Sequence, residues 1–187
     1  MNRNIGDYVK VYNLIDRHIC NKTIEQLNVA PDWKQHEFYY PSTGNLKPSN
    51  EQEFDITYFG IENHSILMKV VWDSLNQYIK DLNFPWYNFW NGYSKIKYHR
   101  YNKNTLMTEH CDHIHDMFDG TTRGIPVLSV VGILNDDYSG GEFIMFNDTK
   151  IELKQGDILI FPSNFLYPHK VMPITEGTRY SFVSWVW

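Results

Sequence analysis

The sequence lacks the features that mark membrane, secreted and disulfide-rich proteins. Its longest apolar runs, such as residues 127–131, are far too short to span a bilayer. The first ten residues have neither the apolar core nor the cleavage site of a signal peptide. Cys20 and Cys111 are its only cysteines, which is no disulfide framework. We therefore expect a protein of the reducing cytoplasm that has no membrane partner.

The chain also lacks an excess or a cluster of positive charge. The net charge is −5, and no cluster of Lys and Arg stands out along the chain. A nucleic-acid-binding surface normally shows a basic stripe, so we do not expect a nucleic-acid partner. The length of 187 residues fits one domain, residues 1–187, with a substantial core. Aromatic residues make up 16% of the chain, which is high for a globular protein.

The first half of the chain, about residues 1–90, is predicted to be helical. Apolar residues within 7–27 recur at three- and four-residue steps, the period of one helix face. A second helix is expected to begin near Asn63 or Ser65 and to end before Pro85. Between them, the polar residues 41–53 are predicted to form a mobile surface loop and, as a hypothesis, a lid.

From residue 94 onward the hydrophobic period changes to that of strands. Turn signals such as Asn135-Asp136-Asp137 and Gly140-Gly141 separate short apolar runs. Seven or eight short strands favour a closed or two-sheet antiparallel barrel, with the helices packed on its outside. The predicted fold class is α+β, mainly β, with the barrel core at about residues 91–187. The predicted strands are residues 94–101, 127–134, 142–146, 151–154, 157–161, 169–172 and 179–186.

The densest group of potential metal ligands lies within residues 109–116. In an extended chain residues i and i+2 point to the same side, so His110 and Asp112 face one point, as do His113 and His115. His169 offers a second imidazole on a later strand. Two imidazoles and one carboxylate form the triad of non-haem Fe(II) oxygenases, which leaves three positions for a chelating cosubstrate and dioxygen. A bare His-x-Asp also occurs by chance, and zinc held by His113 and His115 remains an alternative.

Arg179 follows His169 by ten residues, and Pro173 and Gly177 mark a turn between them. A hairpin centred near Ile174 would place His169 and Arg179 on adjacent antiparallel strands, about 5 Å apart. A guanidinium grips a carboxylate with two parallel hydrogen bonds and keeps its charge. We therefore expect Arg179 to hold the far end of a dicarboxylate that chelates the metal.

Further motifs surround these residues in a fixed order. Tyr101 precedes His110 by nine residues. The later motifs are Leu134-Asn135-Asp136, Gly140-Gly141-Glu142, residues 155–161 (QGDILIF), His169, Pro173-Ile174, Gly177, Arg179 and Trp185. In this order and spacing, the C-terminal half of the chain resembles the prolyl 4-hydroxylase-like branch of the 2-oxoglutarate/Fe(II) oxygenases. Residues 1–90 carry little of that resemblance.

The resemblance implies a double-stranded β-helix, or jelly-roll, barrel with Fe(II) inside its mouth. His110, Asp112 and His169 match the iron ligands, and Arg179 matches the residue that binds the distal carboxylate of 2-oxoglutarate. Tyr101 matches a tyrosine that adds a hydrogen bond to this cosubstrate. Ascorbate is implied as a candidate reductant.

Two further residues receive roles from the resemblance. Ser129 falls where the family usually has Thr, and its hydroxyl is expected to contact the cosubstrate. Trp185 matches the aromatic residue that packs against the substrate, and core packing is the alternative for this residue. His113 and His115 have no clear family counterpart, and we interpret them as loop residues or as groups that orient a ligand.

The implied reaction is hydroxylation of a protein side chain, with peptidyl proline as the first substrate hypothesis. Two positions depart from the family pattern: Pro126 stands where an Arg contacts the substrate, and Met107 replaces a substrate-side Tyr. Residues 177–180 also look like those of lysyl hydroxylases. Lysine, a free amino acid or another small molecule therefore stay open as substrates. A non-enzymatic cupin-like binding protein is the third hypothesis, and it leaves the dicarboxylate anchor without a purpose.

Overall fold

A computed structural model describes residues 4–40, 42–84, 92–112 and 126–187. These residues form a short 3₁₀ helix (Ile5–Tyr8), the helices α1 (Arg17–Asn28) and α2 (His64–Leu82), and fifteen strands. The strands are β1 (Lys10–Asn13), β2 (Lys34–Gln35), β3 (Phe38–Tyr40), β4 (Asn45–Lys47), β5 (Asp55–Thr57), β6 (Lys97–Tyr101), β7 (Met107–His110), β8 (Leu128–Ile133), β9 (Ser139–Gly140), β10 (Phe143–Met145), β11 (Thr149–Ile151), β12 (Asp157–Pro162), β13 (His169–Val171), β14 (Ile174–Glu176) and β15 (Arg179–Val186).

Two antiparallel sheets form the barrel. The large sheet has seven strands in the order β1-β12-β8-β15-β6-β5-β2, and the small sheet has four in the order β11-β10-β13-β7. Two-stranded pairings of β14 with β9 and of β3 with β4 lie beside them. Along the chain, β6, β7, β8 and β10 alternate between the two sheets, and β12, β13 and β15 do so again. Between these two runs, β10 and β11 pair with each other in the small sheet. This arrangement agrees with the predicted double-stranded β-helix.

The large sheet is apolar on both faces because it is covered on both sides. In β12, Ile158 and Ile160 pack with the two helices, whereas Leu159 and Phe161 pack toward the small sheet. This alternation follows from the period of two in a strand. The residues facing the small sheet share one cluster with Phe143 and other side chains of that sheet, so the barrel interior lies between the two sheets.

Helix α2 forms where the sequence predicts it. Its buried residues include Leu67, Val71 and Leu75, which recur at the four-residue steps of one helix face. The helix begins after Asn63 and ends at Asn83, whose left-handed backbone (φ 50°) is a common way to stop a helix. No helix in the described parts of the chain combines the length and the apolar character that a bilayer crossing requires.

The predicted helix over residues 7–27 is wrong in its first half. Residues Lys10–Asn13 are a strand that pairs with β12, and α1 begins only at Arg17. Asp16 caps this helix, because its carboxylate accepts a hydrogen bond from the backbone N–H of His18. Pairing with the open edge of the large sheet outweighs the local helical period, which only long-range contact could reveal.

The predicted division at residue 90 is also wrong. Strands β1, β2 and β5 come from the first third of the chain and belong to the large sheet. The strand predicted at residues 151–154 lies instead at Thr149–Ile151. That residues 1–187 make up one domain stays a prediction.

The predicted hairpin between His169 and Arg179 does not form. Strand β13, with His169, belongs to the small sheet, whereas β15, with Arg179, belongs to the large sheet. The intervening strand β14 pairs with β9. The chain therefore crosses from one sheet to the other between these residues.

The predicted surface loop at residues 41–53 contains strand β4, which pairs with β3. Leu46 of β4 and Phe38 of β3 line the mouth of the cavity between the sheets. Leu46 is 61% exposed although it is apolar. Pro41 lies outside the described residues, and a lid motion stays a prediction.

A substitution at Gly132 tests how closely the helix-facing side of the large sheet is packed. A Cβ atom at this position would lie 2.2 Å from the Phe182 ring on the neighbouring strand. We expect Gly132→Ala to lower the free energy of unfolding by about 1–3 kcal/mol, because the buried ring must shift. Urea unfolding followed by circular dichroism measures this change.

Gly60→Ala is the matched control, because a Cβ at Gly60 would meet nothing within 4 Å. Its free energy of unfolding should stay within about 0.5 kcal/mol of the wild-type value. Equal stability of the two variants would contradict the close packing of Gly132 against Phe182.

Candidate active site

Strand pairing in the small sheet brings the predicted metal ligands together. His169 of β13 lies opposite His110 of β7 in the ladder, and their ring centroids are 4.5 Å apart. Asp112 lies two residues beyond the end of β7, and its Oδ1 lies 3.4 Å from His110 Nε2 and 3.8 Å from His169 Nε2. The three residues predicted from sequence therefore converge on one point.

Backbone carbonyls orient both imidazole rings. His110 Nδ1 lies 2.8 Å from the carbonyl oxygen of Thr108, and His169 Nδ1 lies 3.1 Å from that of Tyr167. A carbonyl oxygen only accepts hydrogen bonds, so each Nδ1 carries the proton and each Nε2 keeps its lone pair. Both lone pairs are therefore available to a metal ion beside Asp112.

The protonation states also suit metal binding. Burial, together with the neighbouring His110, lowers the pKa of His169 to about 4, so this imidazole is neutral at neutral pH. Burial alone would raise the pKa of Asp112, but His169, His110 and the hydroxyl of Ser129 together hold it below its usual range. A neutral imidazole of His169 and an ionised carboxylate of Asp112 thus face the same point.

Ser129 has a different contact from the predicted one. Its hydroxyl donates a hydrogen bond of 2.5 Å to Asp112 Oδ2 and lies 2.8 Å from the hydroxyl of Ser163. The side chain is fully buried behind Asp112 and does not line the cavity. The structure therefore does not support a contact of Ser129 with the cosubstrate, because its hydroxyl already orients the carboxylate.

A cavity of about 500 Å³ separates the two sheets. The three ligand residues lie on the side of the small sheet, and Tyr101 and Arg179 line the opposite side, from the large sheet. Tyr101 and Arg179 are themselves directly opposite each other in the β6–β15 ladder. A molecule in the cavity would therefore contact both groups at once.

Arg179 is a buried cation that faces the cavity. It is 1% exposed, and it donates hydrogen bonds from Nε to the hydroxyl of Tyr138 and from Nη1 to that of Ser181. Its guanidinium also lies 4.9 Å from the centre of the Tyr101 ring. No carboxylate in the described parts of the chain lies within 4.0 Å of it. A buried cation without a carboxylate partner can bind an anionic ligand.

Tyr101 and Trp185 line the same cavity. The Tyr101 ring stacks on Phe54, with centroids 4.5 Å apart, and its hydroxyl donates to Met107 Sδ over 3.6 Å. Burial raises the pKa of this phenol, so it stays a hydrogen-bond donor at neutral pH. Trp185 is half-buried at the end of β15, and its Nε1 has no acceptor among the described residues.

Lys97 and His99 also line the cavity, although sequence reasoning missed both. They precede Tyr101 by four and two residues on β6, so all three side chains point to the same face. The sequence did contain a signal for them, because residues two and four positions before Tyr101 in a strand share its face. By contrast, His113 and His115 lie outside the described residues.

The donor set fits a divalent transition metal. Two ligand atoms bound to one ion at about 2.1 Å can be no more than about 4.2 Å apart, and both distances to Asp112 Oδ1 satisfy this limit. Among the described residues, His110, Asp112 and His169 are the group with this arrangement. Two imidazoles and one carboxylate with open space beyond them are typical of non-haem Fe(II) sites.

Comparison with known proteins agrees with this site. Residues 96–187, which contain all seven predicted site residues, match the family model described as the 2OG-Fe(II) oxygenase superfamily. The chain belongs to this superfamily. The prediction of an oxygenase that uses Fe(II) and 2-oxoglutarate is thereby confirmed at the level of the family.

Curated relatives of this oxygenase are named PKHD-type hydroxylases. One from Synechococcus sp. is 25% identical over 92% of this chain and 74% of its own length. Another, from Idiomarina loihiensis, is 29% identical over 50% of this chain. The match covers only 42% of that relative, so the chain corresponds to less than half of its length.

Solved structures share the fold. A viral collagen prolyl hydroxylase from Paramecium bursaria Chlorella virus-1 superposes with a TM-score of 0.68 at 15% identity, covering 97% of this chain and 96% of the other. A prolyl hydroxylase from Trichoplax adhaerens, in complex with a hypoxia inducible factor peptide fragment, gives 0.71 at 17% identity, covering 96% and 83%. These likenesses confirm the predicted double-stranded β-helix.

Ser129→Ala should weaken metal binding without removing a ligand. Loss of the hydrogen bond frees the Asp112 carboxylate to rotate, and we expect a fall of about 10- to 100-fold in metal affinity. Calorimetric titration with Mn(II), which is stable in air, measures this affinity.

Ser74→Ala is the control for this experiment. The Ser74 hydroxyl is equally buried but donates within α2, to the carbonyl of Val71. Its Mn(II) affinity should equal that of the wild type. Unchanged affinity in Ser129→Ala would show that Ser129 does not orient Asp112.

Proposed function

We propose that this protein is a 2-oxoglutarate- and Fe(II)-dependent hydroxylase. The observation that carries the proposal is the position of Arg179, buried on the large sheet and facing the His110–Asp112–His169 group across the cavity. A metal-binding barrel without turnover would have no need of a buried guanidinium in this place. A dicarboxylate that chelates the metal at one end has a second carboxylate to place, and a guanidinium matches it.

Each residue has a separate role in this proposal. His110, Asp112 and His169 would hold Fe(II), and Arg179 and Tyr101 would hold the distal carboxylate of 2-oxoglutarate. Ser129 is proposed as a positioning residue for Asp112, in place of its predicted contact with the cosubstrate. When bound, Fe(II) and 2-oxoglutarate would use dioxygen to replace a substrate C–H bond by C–OH, with succinate and carbon dioxide as the other products.

The walls of the cavity would protect this chemistry. Phe54, Phe143 and Val131 line it with apolar surface, which excludes water from the reacting groups. The β3–β4 hairpin at the mouth, which shares residues 42–47 with the predicted lid, would cover a bound substrate.

A protein or peptide substrate, with proline first, remains the substrate hypothesis. It is supported by the names of the similar prolyl hydroxylase structures and by Trp185 on the cavity wall. Pro126 and Met107 depart from the family's substrate contacts, so lysine, a free amino acid or another small molecule remains the alternative. Cytoplasmic location and ascorbate as reductant are parts of the same proposal, and the unpaired thiols of Cys20 and Cys111 are consistent with a reducing compartment.

Arg179→Gln tests the cosubstrate anchor. Loss of a charge-assisted bond of about 1.5–3 kcal/mol should raise the KM for 2-oxoglutarate about 10- to 150-fold. Formation of succinate at increasing 2-oxoglutarate, with Fe(II) and ascorbate present, measures the change.

Arg100→Gln is the control for this variant. Arg100 is next to Tyr101 on β6 but pairs with Asp55 outside the cavity, at 2.9 Å. Its KM for 2-oxoglutarate should match that of the wild type. If Arg179→Gln is folded and also keeps the wild-type KM, Arg179 is not the anchor.

Peptide substrates can be tested directly. We expect proline-containing peptides to gain 16 Da in mass spectrometry after incubation with the enzyme, Fe(II), 2-oxoglutarate and ascorbate, because one oxygen atom is inserted. Peptides with alanine in place of proline are the control. Turnover of 2-oxoglutarate without modification of any peptide would exclude peptidyl proline and leave the oxygenase chemistry intact.

A further inference from the structure

Lys97 is the least expected group in the cavity wall. It is 7% exposed, lies at the start of β6, and is opposite Val183 in the β6–β15 ladder. Its Nζ lies 4.4 Å from the centre of the Trp185 ring. Lys97 therefore lies beside the residue that was predicted to contact the substrate.

The two cations of the cavity lie at opposite ends of one row of side chains. Tyr101, opposite Arg179, and Lys97 are four residues apart on β6, which corresponds to about 13 Å along the strand. His99 lies between them on the same face. If Arg179 and the metal bind the two carboxylates of one small dicarboxylate, no carboxylate of that molecule is left for Lys97.

Among the described residues, no carboxylate pairs directly with Lys97, although the charge of Asp112 acts on it from a greater distance. Within the described ranges, no carboxylate lies within 4.0 Å of its Nζ, and no hydrogen bond of this ammonium group is found. The cavity-lining carboxylates of these ranges are Asp112, which faces the metal position, and Glu37, which is exposed at the mouth. The ring of Trp185 compensates a buried ammonium only in part.

Burying an unpaired ammonium group is costly, and the structure reflects this cost. Burial lowers the pKa of Lys97 to about 8, so the side chain is still mainly charged at neutral pH. Two neighbouring groups also lack hydrogen-bond partners among the described residues, namely His99 Nε2 and Trp185 Nε1. The indole N–H is a donor, as is the ammonium group, so this end of the cavity presents donors to an acceptor.

The geometry points to a substrate that bears a carboxylate. Lys97 binds this carboxylate, and a neighbouring C–H bond of the same substrate faces the metal. This inference rests on the proposed function, because it assumes that Arg179 and the metal already use both carboxylates of 2-oxoglutarate. The carboxylate has two sources: the α-carboxylate of a free amino acid, or an acidic residue or C-terminus of a peptide. In each case the substrate neutralises a cation that has no carboxylate partner among the described residues.

Matched pairs of compounds test this inference. The panel pairs L-proline with L-prolinamide, L-lysine with L-lysinamide, and N-acetylated, C-amidated Asp-Pro and Pro-Asp with their Asn counterparts. We expect one carboxylate member to raise oxygen uptake above the uncoupled rate at a KM about 10- to 100-fold lower than its amide. The free amino acids and the blocked peptides distinguish the two sources of the carboxylate.

Lys97→Met should abolish this preference, because Met has a similar volume and no charge. The KM for the carboxylate should rise to that of the amide, whereas Lys97→Arg should keep the preference. The melting temperature of Lys97→Met should also rise, since an unpaired buried charge is removed. Lys95→Met is the control for net charge, because Lys95 is exposed two residues earlier and does not line the cavity.

Two results would overturn the inference. One is a wild-type enzyme that turns over 2-oxoglutarate but does not distinguish carboxylate from amide in any pair. The other is a Lys97→Met variant in which the KM for 2-oxoglutarate rises instead, which would assign Lys97 to the cosubstrate. Failure of the proposed function is a separate outcome, seen as no 2-oxoglutarate-dependent oxygen uptake in any variant.

Discussion

The register between β7 and β13 is the constraint on which the site depends. It places His169 directly opposite His110 and so brings together two imidazoles that are far apart in the chain. Asp112, just beyond the end of β7, then needs only a short reach to join them. A slip of one residue in this pairing would turn one imidazole away from the cavity, because successive side chains of a strand point to opposite faces.

The barrel divides the chemistry between its two sheets. The small sheet carries the proposed metal ligands His110 and His169, with Asp112 just beyond β7, and the large sheet carries the cations Arg179 and Lys97 on the facing wall. The large sheet can be rigid because the two helices cover its outer face and the barrel interior covers its inner face. Groups that must act together are thus held at a distance by packed strands rather than by loops.

The buried polar groups that line the cavity lower the stability of the folded protein. Arg179, Lys97 and His99 are buried inside the barrel, beside apolar residues of the cavity wall, where polar groups without a partner are costly. The surrounding core offsets this cost and holds the groups in place before a ligand arrives. Burial also keeps His99 neutral by lowering its pKa well below the usual range, so the cations of this wall are the guanidinium and the ammonium.

The sequence by itself predicted that His110 and Asp112 face one point and that helix α2 forms, because i, i+2 and i, i+4 spacings act over a short stretch of chain. His169 was added as a predicted ligand from a later strand and from the order of the family motifs. It also identified Arg179 as a cavity residue, but the predicted hairpin with His169 was wrong, since the chain changes sheets between them. Only the tertiary structure turned residues Lys10–Asn13 into a strand, bonded Ser129 to Asp112 and brought Lys97 beside Trp185. Each of these contacts joins residues far apart in the chain, and local periodicity carries no information about which strand becomes a neighbour.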